Sequence, residues 1–124
     1  NPWLSLYWMV TGKTVGGTQL ASPGNRLSRE EALRLYTVGS AWFSGEDDVK
    51  GRIAPGQFAD FSILSADYLK VPEEEIRRIE SVLTVTGGDV VYSAEPFTMF
   101  APEPLPPVSP AWSPVAAFGG YQRR

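Results

Sequence analysis

Gly51-Arg52-Ile53-Ala54-Pro55-Gly56-Gln57-Phe58-Ala59-Asp60-Phe61-Ser62-Ile63-Leu64 is where the hydrophobic period of the chain changes. Pro55-Gly56 suits a turn whose glycine takes positive φ. From residue 59 to residue 64 apolar and polar side chains alternate, as in a half-buried strand. Before this stretch the apolar residues repeat at helical spacing, and beyond it lies a hairpin pattern. The expected fold class is therefore α+β.

Working upstream, Ser28-Arg29-Glu30-Glu31 is a capping box, with the Ser28 hydroxyl and the Glu31 carboxylate each bonding the other's backbone N–H. Ala32, Leu35, Tyr36, Gly39, Trp42 and Phe43 follow on one helical face, and Gly45 is a natural stop. The acidic run Glu46-Asp47-Asp48 lies just past this helix, where the macrodipole disfavours carboxylates, so it is expected to face solvent or a basic partner. Further upstream, Asn1 can cap a helix and Pro2 suits its first turn. Trp3, Leu6, Tyr7 and Val10 share one face, Leu4 and Trp8 add a second apolar edge, and Gly12 ends the helix, which is expected to be buried on more than one side. Residues 13–27 form a loop longer than most connections, and long ordered loops often carry function.

Downstream, residues 71–79 read as a short helix, acidic at the start and basic at the end as the dipole prefers. Residues 81–86 and 89–93 flank Gly87-Gly88, a hairpin turn signal. Three strands with one short helix cannot close a sandwich or barrel, so this sheet is expected to continue in strands from elsewhere. Seven of the eleven prolines lie between Pro96 and Pro114. Residues 97–124 are therefore expected to form an extended Pro-rich tail, with Phe97, Met99, Phe100, Leu105, Trp112, Phe118 and Tyr121 as apolar surface.

Composition narrows the chemistry. The 124 residues carry 43% hydrophobic and 20% charged residues, a single domain's worth of folding composition. The net charge of −3 argues against nucleic-acid or anionic-membrane partners. There is no Cys and no His, which removes thiolate chemistry, imidazole bases and the commonest zinc ligand. Residues 3–10 are too few to span a bilayer. Gly12-Lys13-Thr14 ends like a phosphate loop, but Tyr7 stands where that motif needs glycine. Glu46-Asp47-Asp48 lacks the alternating oxygen ligands of a calcium loop. Pro104-Leu105-Pro106-Pro107 and Pro107-Val108-Ser109-Pro110 satisfy the PxxP pattern without a flanking basic residue. Asp60, Asp67 and Asp89 read as turn or edge residues. On residue chemistry alone there is no self-contained active site.

Residues 27–37 followed by 51–64 resemble the C-terminal signature of metal-dependent amidohydrolases, and residues 82–92 resemble the hairpin that closes it. Gln57 stands where that signature usually has Lys. The tail, around Trp112-Ser113-Pro114-Val115 and Phe118-Gly119-Gly120-Tyr121, is similar to extensions in the branch that includes N-substituted formamide deformylases. The resemblance implies the last helices of a (β/α)8 barrel plus part of a composite β-sandwich. Residues 1–50 would supply the terminal barrel loop and helices, 51–96 the partial sandwich and 97–124 the tail. It implies a hydrolase of non-peptide C–N bonds in a longer parent enzyme, with a divalent, zinc-type metal held by His residues and an Asp outside this chain. No catalytic residue and no metal ligand is then expected here, and the chain alone should be inert. Asn1, Trp3 and Tyr7 are the candidates for the substrate side of the parent enzyme, with helix packing the competing reading of Trp3 and Tyr7. The expected partners are the remainder of the parent chain, a small amide substrate and further copies of the isolated piece. A soluble, cytoplasmic setting is slightly favoured. The rival reading is a small α+β interaction module that uses its Pro-rich tail.

Overall fold

The computed structural model describes residues 1–103, in a small α+β arrangement of short helices and a three-stranded antiparallel sheet. Helix α1 spans Pro2–Thr11. Its Asn1 cap accepts a 3.0 Å hydrogen bond from the Trp3 N–H, and Gly12 ends it with φ 67°. A side chain at Gly12 would lie 2.8 Å from both Ala21 Cβ and Gln19 Nε2, so space and backbone both demand glycine. Leu6, Tyr7 and Val10 are buried as their spacing predicts. The second edge is different: Trp8 is 50% exposed, so α1 is covered on one side only among the described residues.

The capping box opens α2 (Arg29–Arg34), with Glu31 N–H to Ser28 Oγ at 3.2 Å and Ser28 N–H to Glu31 Oε2 at 2.8 Å. The helix expected to run unbroken to Phe43 instead passes through a π-turn, Leu35–Gly39, before α3 (Ser40–Phe43). Two local pressures accompany that wider turn. The Thr37 hydroxyl donates 2.9 Å back to the Leu33 carbonyl, and Gly51, at φ 92°, packs so closely that an added Cβ would sit 3.0 Å from Val38 Cα. The expected apolar face is buried at Ala32 alone, while Leu35, Tyr36, Trp42 and Phe43 are exposed. The periodicity marks a face that needs a partner, and the described residues do not supply one.

The sheet is a meander of β1 (Phe61–Leu64), β2 (Ser81–Thr86) and β3 (Asp89–Ser93). Thr86 pairs with Asp89 across Gly87 and Gly88, at φ 60° and 91°, the positive-φ hairpin turn expected there. Asp60 steadies that turn by accepting 2.7 Å from the Gly87 N–H. Leu83 and Val85 are buried, but Phe61, Ile63, Val91 and Tyr92 remain exposed. The outer edges of β1 and β3 have no neighbouring strand among the described residues.

The core lies beside the sheet rather than beneath it. Leu6, Tyr7 and Val10 of α1 meet Ala32 of α2 and Tyr68, Ile76 and Ile79. The segment expected as a short helix over 71–79 is a 3-10 helix, Glu73–Arg78. With three residues per turn, Ile76 and Ile79 eclipse each other and both enter the core, at 0% and 2% exposure. Arg29 locks the preceding segment, donating to the carbonyls of Tyr68 and Val71, while the Tyr68 hydroxyl donates 3.1 Å to the Arg29 carbonyl. Past β3, residues 98–100 form a 3-10 turn, Thr98–Phe100, where an extended tail was expected. The remaining tail expectations, both PxxP matches included, lie outside the described residues.

Gln57 donates 2.7 Å to the Asp48 carbonyl, but its own Oε1 is buried with no hydrogen-bond partner. A buried orphan acceptor costs about 1 kcal/mol or more. Gln57→Lys keeps a donor for Asp48 and removes the orphan. It is expected to raise stability by about 1 kcal/mol, seen as a melting temperature higher by about 4 °C in a thermal scan. An unchanged or lower value counts against that account.

Candidate functional site

The three substrate-side candidates occupy different settings. Asn1 is exposed, and its side-chain oxygen caps α1 by accepting from the Trp3 N–H. Trp3 is half-buried, its ring 5.9 Å from that of Tyr68. Tyr7 is 1% exposed and its hydroxyl donates 2.9 Å to Glu74 Oε2.

Tyr7 leads to a polar cluster where α1, the following loop and the 3-10 helix meet. Lys13 Nζ donates 2.7 Å to Glu74 Oε1, so each oxygen of that carboxylate is engaged by a different residue. Arg77 lies 5.5 Å over the Tyr7 ring and donates 2.9 Å to the Val15 carbonyl. The Lys13 ammonium, followed by the Tyr7 hydroxyl, holds the Glu74 carboxyl below the usual carboxylate range. The same contact raises Lys13. Both groups are thus held in their charged forms, whereas a general base or nucleophile needs a free carboxylate or a neutral amine. The arrangement binds α1, the following loop and the 3-10 helix together.

An open groove of about 660 Å³ runs along the π-turn, with Leu27, Leu35, Val38 and Trp42 on its walls and Glu31, Arg34, Asp47 and Arg52 at its rim. It holds no nucleophile paired with a base. The acidic run is committed locally: Glu46 pairs with Lys50 at 2.7 Å, which lowers its pKa, and the carbonyls of Asp47 and Asp48 accept from Arg52 and Gln57. Asp67 accepts from the Leu69 N–H and pairs with Lys70. Among the described residues no three His, Cys, Asp or Glu are grouped to hold a metal ion. The donor set does not fit a zinc-type centre, and no chemical step runs through one in this segment.

Sequence reasoning missed Glu74, Arg77, Arg29 and Gln19. Their partners lie far along the chain or on backbone carbonyls, which no local pattern reports. The acidic-to-basic order of residues 73–78 was visible, but it was read as dipole matching within one helix.

Comparison with known proteins supplies what the site lacks. Residues 1–92 match the model of the amidohydrolase family, so the chain belongs to that family. It is similar to the Bacillus subtilis (strain 168) protein YtcJ, named as an amidohydrolase, at 39% identity over 62 residues, covering 50% of this chain and 12% of that protein. It is also similar to the N-substituted formamide deformylase of Arthrobacter pascens, at 29% identity over 87 residues, covering 70% of this chain and 16% of that enzyme. The matched chain spans 12% and 16% of the length of these two relatives. No solved structure gives a significant match. No described helix is long and apolar enough to cross a membrane.

Proposed function

We propose that these residues are the C-terminal part of a metal-dependent amidohydrolase that hydrolyses non-peptide carbon–nitrogen bonds in small amide or formamide-like molecules. The observation that carries this reading is the family match over residues 1–92, set against relatives of which the aligned residues cover only 12% and 16%. The metal ligands and the hydrolytic site then belong to the remainder of the parent chain, where a divalent ion would supply activated water. Residues 1–50 would be terminal barrel elements and 51–96 part of a composite sandwich. The exposed Leu35, Trp42, Phe43 and sheet residues support that placement, as surfaces awaiting the rest of the enzyme. The substrate-side role rests with Asn1 and Trp3. Tyr7, buried and bonded to Glu74, serves it by holding α1 in place.

The test is amine release from N-substituted formamides and simple amides, with and without added zinc, by this chain and by the full-length protein that contains it. The chain alone should show no turnover, and the full-length protein should show turnover that a chelator abolishes. Turnover by the chain alone, or none by a folded metal-loaded parent against a broad amide panel, overturns the reading.

A further inference from the structure

Residues 12–21 leave α1, turn at Val15-Gly16 and return alongside themselves, with Lys13 and Gln19 paired as an antiparallel bridge. The base is bolted. Gln19 Nε2 lies 3.0, 3.1 and 2.8 Å from the carbonyl oxygens of Thr11, Gly12 and Ala21, and the Leu20 and Ala21 N–H groups both donate to the Gly12 carbonyl. Inside the turn, Gly17 N–H donates to the Thr14 carbonyl and Thr14 N–H to the Thr18 carbonyl, both at 2.9 Å.

Beyond its bonds to the end of α1, this loop is gripped by the 3-10 helix Glu73–Arg78. Residues three apart eclipse in such a helix, so Glu74 and Arg77 project from the same side. Glu74 takes Lys13 at the foot of the loop, and Arg77 takes the Val15 carbonyl near its tip. An α-helix would splay the two by about 60° and spoil the double grip.

We propose that residues 12–21 form a strap latched by charge. Its foot is held onto the 73–78 turn while Glu74 is ionised and Lys13 protonated, and that grip is released when Glu74 is neutral, leaving the strap on Gln19 at its base and on the single Arg77 bond to the Val15 carbonyl. The groups facing Glu74 are Tyr7 from α1, Lys13 from the strap and Arg77 from its own turn, with Glu73 acting on Lys13. Because the folded carboxyl of Glu74 titrates below its ordinary 4.5, the latch is complete above that value and is lost as pH falls through the folded pKa. Lys13, raised above 10.5, limits it only in strong alkali.

The experiment is amide hydrogen exchange on the chain and on Glu74→Gln. Protection factors at Thr14, Gly17 and Thr18 are read against those of β2 and β3. At neutral pH the variant should lose five- to tenfold protection in the strap and none in the sheet. Lys13→Gln should reproduce the loss, and Lys13→Arg should largely restore it. In acid, once pH has fallen through the folded pKa of Glu74, wild type and Glu74→Gln should converge in the strap, since a neutral Glu and Gln are alike there. Unchanged strap protection in Glu74→Gln, a loss shared equally by the sheet, or a difference that persists in acid each overturns the latch. None of these readouts depends on hydrolytic activity, so the latch and the enzyme assignment can fail separately.

Discussion

Ile76→Ala is expected to destabilise the chain by about 3 kcal/mol, within the 2–5 kcal/mol range for truncating a buried aliphatic side chain. Ile76 is 0% exposed and sits in the core cluster of the described residues, with Leu6, Tyr7, Val10, Ala32, Tyr68 and Ile79. Removing three carbons there forfeits transfer energy and leaves a cavity that the 3-10 backbone cannot collapse to fill. Domains of this size hold roughly 5–15 kcal/mol in all, so the loss consumes much of what is available. Urea unfolding followed by tryptophan fluorescence should show the midpoint falling at constant slope. A loss under about 1 kcal/mol would mean that this cluster is not what holds α1 to the 73–78 turn.

The isolated chain is expected to self-associate at micromolar concentration. The sheet offers unpaired edges on β1 and β3 and exposed Phe61, Ile63, Val91 and Tyr92, while the helical side leaves Trp42 and Phe43 at 69% and 87% exposure. Such edges and patches pair with whatever presents a complementary surface, and in a solution of this chain alone that is another copy. Light scattering should give a mass above that of the 13.6 kDa monomer, with hydrophobic-dye binding. A charge at an exposed edge position, Val91→Lys, should reduce the assembled fraction several-fold without unfolding the sheet. A monodisperse monomer that binds no dye defeats the proposal that these faces await a partner.

How much of this was legible in the sequence follows from how local each feature is. The capping box of Ser28 and Glu31, the Gly12 stop and the Gly87-Gly88 hairpin were all readable, because each is settled within about four residues. The family resemblance was legible in the ordered spacing of residues 27–64, and the family match agrees with it. The π-turn was not, since Gly51 presses on Val38 from outside that helix. Nor was the 3-10 winding of residues 73–78: acidic and basic residues three apart suit an α-helix equally well, and the winding shows only in three-residue hydrogen bonds such as Ile79 N–H to the Ile76 carbonyl. Tyr68 and Arg29 went unnoticed because their partners are backbone carbonyls about forty residues away. The face of Leu35, Trp42 and Phe43 was correctly seen as apolar, but its pattern says nothing about which chain covers it.

The contact between Tyr7 and Glu74 joins residues 67 apart, and the hydrophobic cluster beside it reaches from Leu6 to Ile79. During synthesis, α1 leaves the ribosome with its apolar face complete and must wait for some seventy further residues before Ile76 and Ile79 emerge to cover it. Closing so long a loop is entropically expensive before any contact is gained, so nascent chains ending short of residue 79 carry Leu6, Tyr7 and Val10 uncovered. Completion of this core therefore waits on the 3-10 turn, the last of its elements in chain order.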